Sequence, residues 1–237
     1  MKKSYLILSS LLVLTLAACS QEKPTSSEST TTTEQTSKQE ETESIKQEEV
    51  TSSSEESKQK KAEVVNKGDY YSVQGKYDEI IIANKHYPLS KNYNPGENHT
   101  AKIELLKLIA AMQEEGYAIS DDYSGFRNYE LQKKLYEKYV EEEGKEAADR
   151  ESARPGYSEH QTGLAFDLIN TDGDLVTEEK AAQWLLDHAA DYGFVVRYLK
   201  GKEKETGYMA EEWHLRYVGK EAKDIAASGL SLEEYYG

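Results

Sequence analysis

Apolar and polar positions divide the 237-residue chain into three regimes. Behind Met1-Lys2-Lys3, Tyr5 to Leu16 is an apolar run. From Ser20 to Lys67 the chain is mostly Ser, Thr, Glu, Gln and Lys, without one aromatic residue. Beyond Gly68 the pattern becomes periodic, and elements can be predicted. Glu79 to Ala83 reads as a short buried strand and Pro88 to Gly96 as a loop. Lys102 to Glu115 places Ile103, Leu106, Ala110 and Met112 near helical spacing and stops at Gly116. Tyr117 to Arg127 reads as extended. A second helix is expected from Tyr129 to Glu143, with Leu131, Leu135 and Tyr139 along its stripe. After the break at Arg154-Pro155-Gly156 and a loop to Gly163, Leu164 to Ile169 reads as a strand. Thr171 to Asp174 forms a turn. A helix from Thr177 to Tyr192 buries Ala181, Trp184, Leu185 and Ala189. Two strands, Phe194 to Tyr198 and Glu212 to Val218, flank a polar loop, and a helix near Lys220 to Ala227 closes the chain. Helices and strands mix without regular alternation, so the expected class is α+β, a small mixed or antiparallel sheet flanked by helices.

The first two regimes say how the third is delivered. Residues 1–19 have the layout of a secretory signal, and their apolar run is too short to span a bilayer. Leu16-Ala17-Ala18-Cys19 resembles a bacterial lipobox, so Cys19, the only cysteine in the chain, is the expected lipidation site. A single cysteine also excludes intrachain disulfides and cysteine-rich metal sites. Residues 20–67 cannot bury enough apolar surface to offset the entropy of folding, and are expected to form a disordered tether. As a flexible coil their root-mean-square reach is roughly 35–40 Å. Residues 68–237 suit one domain with one core. The formal net charge of −15 argues against nucleic acid or anionic lipid as a partner. Membrane attachment is expected through the N-terminal lipid only.

Two clusters carry candidate chemistry. In Ser158-Glu159-His160-Gln161-Thr162-Gly163-Leu164-Ala165-Phe166-Asp167, strand alternation sends Ala165 and Asp167 to one face and Leu164, Phe166 and Leu168 to the core. A carboxylate amid so apolar a strand is costly to bury unless it is paired or metal-bound. His160, on the preceding loop, can fold back to share a cation with it. In Glu211-Glu212-Trp213-His214-Leu215-Arg216-Tyr217, the large apolar residues again alternate with His214 and Arg216. Two nitrogens, one carboxylate oxygen and an open fourth position match catalytic zinc, while Glu211 stands where a proton acceptor would act. The spacing alone fits a buried His–Asp hydrogen bond equally well.

Ser158-x-His160-x-x-Gly163-x-Ala165-x-Asp167 followed by Glu211-x-Trp213-His214 resembles the VanY-type zinc carboxypeptidases of peptidoglycan, and Ser124-Gly125-Phe126-Arg127 matches their upstream segment. The resemblance spans most of Glu79 to Val218. It implies His160, Asp167 and His214 as zinc ligands, Glu211 as catalytic base, and Arg127 as the cation that polarises the scissile carbonyl and stabilises the oxyanion. The anchor, the tether and the segments around Arg127 and Tyr198 look most like the lipoprotein L,D-carboxypeptidases of streptococci. In that subgroup Gln132, Ser158 and Tyr198 would contact the peptide, with Tyr123, Tyr157 and Tyr208 as weaker candidates. The expected activity is removal of D-Ala from tetrapeptide stems, by a monomer in the cell-wall space at the outer face of the cytoplasmic membrane. The alternatives are a D,D-carboxypeptidase acting on pentapeptides, a zinc-bearing but inactive wall-binding module, and a solute-binding lipoprotein. The last has too short a domain for two lobes and no use for the His/Asp/His set. His86, His99 and His188 read as bland, and Asp172-Gly173-Asp174 as a turn rather than a calcium loop.

Overall fold

The computed structural model describes residues 62–237. The leader, Cys19 and most of the tether lie outside them. Three short strands come first: β1 (Val64–Asn66), β2 (Tyr71–Gln74) and β3 (Glu79–Ile82). They form an antiparallel sheet in sequence order. Strand β1 falls inside the stretch assigned to the tether, and the Ala62 amide donates to the Tyr236 carbonyl at 2.8 Å. Ordered backbone among the described residues therefore includes residues 64–66, upstream of the expected boundary at Gly68. The polar composition around Val64-Val65 hid an edge strand whose residues are mostly exposed.

Helix α1 (His99–Glu114) leads into β4 (Ile119–Ser124), and α2 (Tyr129–Glu143) into the short α3 (Lys145–Glu151). A 3-10 turn at Glu159–Thr162 precedes β5 (Ala165–Asn170), followed by α4 (Glu179–His188) and a second 3-10 turn at Ala189–Tyr192. Then come β6 (Phe194–Tyr198), the single turn α5 (Glu203–Thr206) and β7 (Glu211–Tyr217). The last helices are α6 (Ala222–Ser228) and α7 (Leu232–Tyr236). The second sheet runs β4-β5-β7-β6 and is antiparallel throughout. The class is α+β as expected, with two antiparallel sheets where one was read.

Helix α1 begins three residues earlier than its apolar pattern implies. The Asn98 side chain accepts from the Ala101 amide at 2.9 Å, capping one of the orphan N–H groups of the first turn. Its buried stripe is Ala101, Leu105, Leu108, Ile109 and Met112, while the expected Ile103 and Leu106 are 41% and 43% exposed. Adjacent apolar pairs such as Leu105-Leu106 let spacing fit either face. The real stripe packs with Phe166, Leu168, Phe194 and Leu215 of the central sheet. Each such side chain contributes roughly 1.5–3 kcal/mol by leaving water. Ala181 and Leu185 of α4 and Ala189 of the turn behind it pack into the same core, with Trp184 partly buried against it.

Helix α2 departs furthest from its predicted stripe. Leu131 is 51% exposed, and the one fully buried residue of the helix is Gln132. This helix faces a polar cleft rather than the core.

Candidate active site

The central sheet has one apolar face, on α1 and α4, and one polar face. Strand register builds the polar face. Ser124 of β4 stands opposite Asp167 of β5, and Asp167 stands opposite His214 of β7. Glu211 of β7 stands opposite Tyr198 of β6. A one-residue slip between β5 and β7 would turn either Asp167 or His214 into the apolar core, so burial of Phe166 and Leu215 fixes the row of polar groups.

His160 arrives from the 3-10 turn. Behind it the chain reverses at Gly163, where φ is +72° and an added Cβ would collide with the Gly96 carbonyl oxygen. Glycine is required there on both counts. Gln161, fully buried, pins the same turn to the preceding loop by donating to the Ser90 and Tyr93 carbonyls at 2.9 Å each. The His160 Nδ1 sits 2.8 Å from the Gly125 carbonyl oxygen, which leaves Nε2 to face Asp167.

His160 Nε2 lies 3.1 Å from Asp167 Oδ2, and His214 Nδ1 lies 3.2 Å from Asp167 Oδ1. Both imidazoles and the carboxylate are buried. Despite the close approach, Asp167 Oδ1 makes no aligned hydrogen bond. One ligand atom from each residue lies within 4.8 Å of the others. A tetrahedral zinc bonded at about 2.0–2.2 Å separates its ligand atoms by roughly 3.3–3.5 Å. The two His–Asp separations lie just under that spacing, and the cluster can hold a metal ion.

Around it the electrostatics are strong. Burial works against the His160 imidazolium, outweighs the Asp167 carboxylate, and keeps the ring below its ordinary pKa. Burial would lift Asp167, but His160 and His214 hold it well below the usual carboxylate range. Burial likewise opposes a charged His214, yet Asp167, Glu159 and Glu211 raise it. Glu211 Oε2 is 3.3 Å from His214 Nδ1 and lies at the edge of the cleft.

The adjoining wall comes from the loop after β4 and from α2. Arg127 NH1 donates to Ser124 Oγ at 2.8 Å, and its Nε donates to Gln132 Oε1 at 3.1 Å. Gln132 Nε2 in turn donates to the Ala153 carbonyl at 2.7 Å. Arg127 NH1 is 3.7 Å from Asp167 Oδ2. The walls enclose a cleft of about 300 Å³ lined by Arg127, Gln132, Ser158, Tyr198, Glu211 and the metal-binding trio, among others. Eight of the nine expected site residues therefore line one cleft, and the ninth, Cys19, lies outside the described residues. Tyr208 also lines the cleft, its ring tilted against Tyr198 at 5.1 Å between centroids, and the Tyr198 ring lies edge-on to His214.

Two of the weaker candidates do not. Tyr157 lines a neighbouring cavity, and Tyr123 packs on Phe166 with its hydroxyl on Glu97. One residue went unread. Glu159, beside His160 in the motif, is 2% exposed and points Oε2 at His214 Nε2 from 3.4 Å. Its signal was available, since a glutamate next to a candidate ligand histidine in so tight a turn has little solvent to face. The Arg216 of the alternating strand, read only as polar, proves to be buried against it at 2.9 Å.

Comparison with known proteins bears on this geometry. The VanY D-alanyl-D-alanine carboxypeptidase family model matches residues 96–220, more than half of the chain. YodJ of Bacillus subtilis is 35% identical over 190 residues, covering 70% of this chain and 69% of its own. The L,D-carboxypeptidase DacB from Streptococcus pneumoniae is 86% identical, with a TM-score of 0.74, over 75% of this chain and 96% of that one. A vancomycin-resistance D,D-pentapeptidase, a VanY mutant solved in complex with Zn(II), is 34% identical with a TM-score of 0.58, over 66% of this chain and 98% of that one. From the shared fold and the cleft that it builds, the chain is a carboxypeptidase and belongs to the VanY D-alanyl-D-alanine carboxypeptidase family.

Proposed function

We propose that this protein is a zinc-dependent L,D-carboxypeptidase that removes the terminal D-Ala from peptidoglycan tetrapeptide stems. The observation that carries the reading is the buried His160/Asp167/His214 cluster, with Glu211 on one side and Arg127 on the other. The 86% identity with the pneumococcal L,D-carboxypeptidase supports tetrapeptide over pentapeptide stems. Zinc, when bound, lowers the pKa of a coordinated water to about 7.

Glu211 accepts the water's proton and returns it to the departing amine of D-Ala. Arg127, held by Ser124 and Gln132, presents its guanidinium to the oxygen that gains charge as the peptide carbonyl becomes tetrahedral. Burial lowers the Arg127 pKa while Asp167 and Glu211 oppose that effect, so it acts as a fixed cation. Ser158 and Tyr198, in the cleft lining, supply donors for the peptide and its terminal carboxylate. The site measures stem length because one residue more or less displaces that carboxylate by over 3 Å.

The test is digestion of purified muropeptides with mass-spectrometric readout. Tetrapeptides should become tripeptides while pentapeptides persist. Conversion of pentapeptide to a stable tetrapeptide would instead mark a D,D-carboxypeptidase.

The enzyme works in the cell-wall space, where its substrate lies. Among the described residues no helix is long and apolar enough to cross a membrane. Cys19, in its lipobox-like setting, supplies the anchor at the outer face of the cytoplasmic membrane, and the enzyme acts as a monomer. Metabolic fatty-acid labelling should mark the wild type and not Cys19→Ala. An unlabelled wild type would remove the anchor from this account.

A further inference from the structure

Behind the metal-binding cluster lies a chain of buried charges that the reaction as described does not use. His214 directs Nδ1 into the cleft, which leaves Nε2 facing Glu159 Oε2 at 3.4 Å. Both atoms are buried and neither has another hydrogen-bond partner, so each is the other's one available mate. The second oxygen of Glu159 is clamped from two directions, by Arg197 Nε at 2.8 Å and Arg216 NH1 at 2.9 Å. Arg197, itself 3% exposed, turns its remaining nitrogens on Glu233, at 2.8 and 2.6 Å, in a two-pronged pair. Glu233 also accepts from Asn84 Nδ2 at 3.0 Å. It sits in the first turn of α7, a helix pinned by the reciprocal capping of Ser231 and Glu234.

We infer that Glu159, Arg197 and Glu233 are positioning residues for His214, and that α7 acts through them on metal affinity. This rests on the proposal that His214 is a zinc ligand. A carboxylate on the far nitrogen of a ligand imidazole fixes its tautomer and ring angle and raises its basicity. Glu159 can do this while its own rotation is blocked, by Arg216 directly and by Arg197, whose guanidinium Glu233 fixes. The two carboxylates and two guanidinia of Glu159, Glu233, Arg197 and Arg216 balance in charge. Losing the charge of Glu233 would leave a net positive charge behind a site that must take a dication. Stability alone gives little reason for such a chain, because well-packed apolar residues often serve a fold as well as a buried ion pair. Its members converge on one imidazole nitrogen.

The experiment measures zinc affinity of the full chain by competition with a chromophoric chelator, and the absorption bands of the cobalt(II)-loaded protein. Glu159→Gln should weaken zinc binding by about 10–100-fold. Glu233→Gln, one link further away, should weaken it by a smaller factor, up to about tenfold, and Glu233→Asp should restore part of the loss. Both glutamine variants should shift the cobalt bands, with KM for the peptide unchanged. Zinc affinity and cobalt bands unchanged in Glu233→Gln, with only the melting temperature of the metal-free protein lowered, would make the chain merely structural and overturn the inference. That variant decides the matter alone if Glu159→Gln does not fold. A wild type that binds no zinc would instead bring down the metal assignment itself, and this inference with it.

Discussion

The two walls of the cleft are built on different principles. The sheet wall sets Asp167, His214 and Glu211 on two strands whose register is fixed by the apolar side chains that alternate with them. The facing wall sets Arg127 and Gln132 on a loop and on a helix that buries one residue, a polar one. It is held by the hydrogen bonds from Arg127 to Ser124 and Gln132, and from Gln132 to Ala153. Two of the three residues of the candidate metal cluster, Asp167 and His214, stand on the wall stiffened by the core. Arg127 and Gln132 stand on the wall held by those hydrogen bonds. The comparison predicts that damage to the sheet wall abolishes chemistry or metal binding, while damage to the facing wall weakens catalysis by degrees.

The largest effect is expected from Glu211→Gln. The substitution removes the proton acceptor without removing one of the three ligands, so turnover should fall by about a thousandfold or more, while zinc content, read by atomic emission, stays at one per chain. The magnitude follows the upper range for general acid–base catalysis. Substantial residual turnover would show that the base is elsewhere.

On the facing wall, Arg127→Ala should lower kcat by about a hundredfold, as lost oxyanion donors do. Gln132→Ala should cost about tenfold, because it removes an Arg127 partner and leaves the guanidinium mobile. Steady-state kinetics on a tetrapeptide would check both. Equal losses at the two positions would mean that Gln132 has a role of its own toward the substrate.

The smallest effect concerns acid. In the metal-free protein, Arg197 and Arg216 outweigh burial to hold Glu159 below the usual carboxylate range, and His160 does so for Asp167. Depressed carboxyls contribute stability that is present above about pH 4 and is lost as pH falls through their folded pKa values. His160, lowered by burial, also favours folding less as pH drops below the ordinary imidazole value. His214 runs the other way, its raised pKa giving stability that is full below that value and lost as pH rises. Urea unfolding of the metal-free protein should therefore weaken steadily from pH 5 to pH 3, and Glu159→Gln should flatten part of that slope. A profile with no acid limb would mean that the sheet wall is not held by charge at all.

The amino-acid sequence determined the local elements near the chemistry, because there the alternation of Leu164, Phe166 and Leu168, or Trp213, Leu215 and Tyr217, is unambiguous. It pointed to the His160, Asp167 and His214 cluster and its neighbours too, since the motif spacing is specific and a carboxylate in an apolar strand calls for a partner. Where apolar residues occur in adjacent pairs, as in α1, or where a helix lies on a polar cleft, as in α2, period alone could not choose the buried face. Strand β1 was hidden by composition, because pairing with β2 rather than its own apolar content holds it. Only the tertiary structure decided that Glu159, Arg197 and Glu233 form one chain behind His214. Their side chains come from a turn, a strand and a terminal helix, the first pair 38 positions apart in sequence and the second 36. Ion pairs across such separations depend on how sheets and helices pack, which no local pattern encodes.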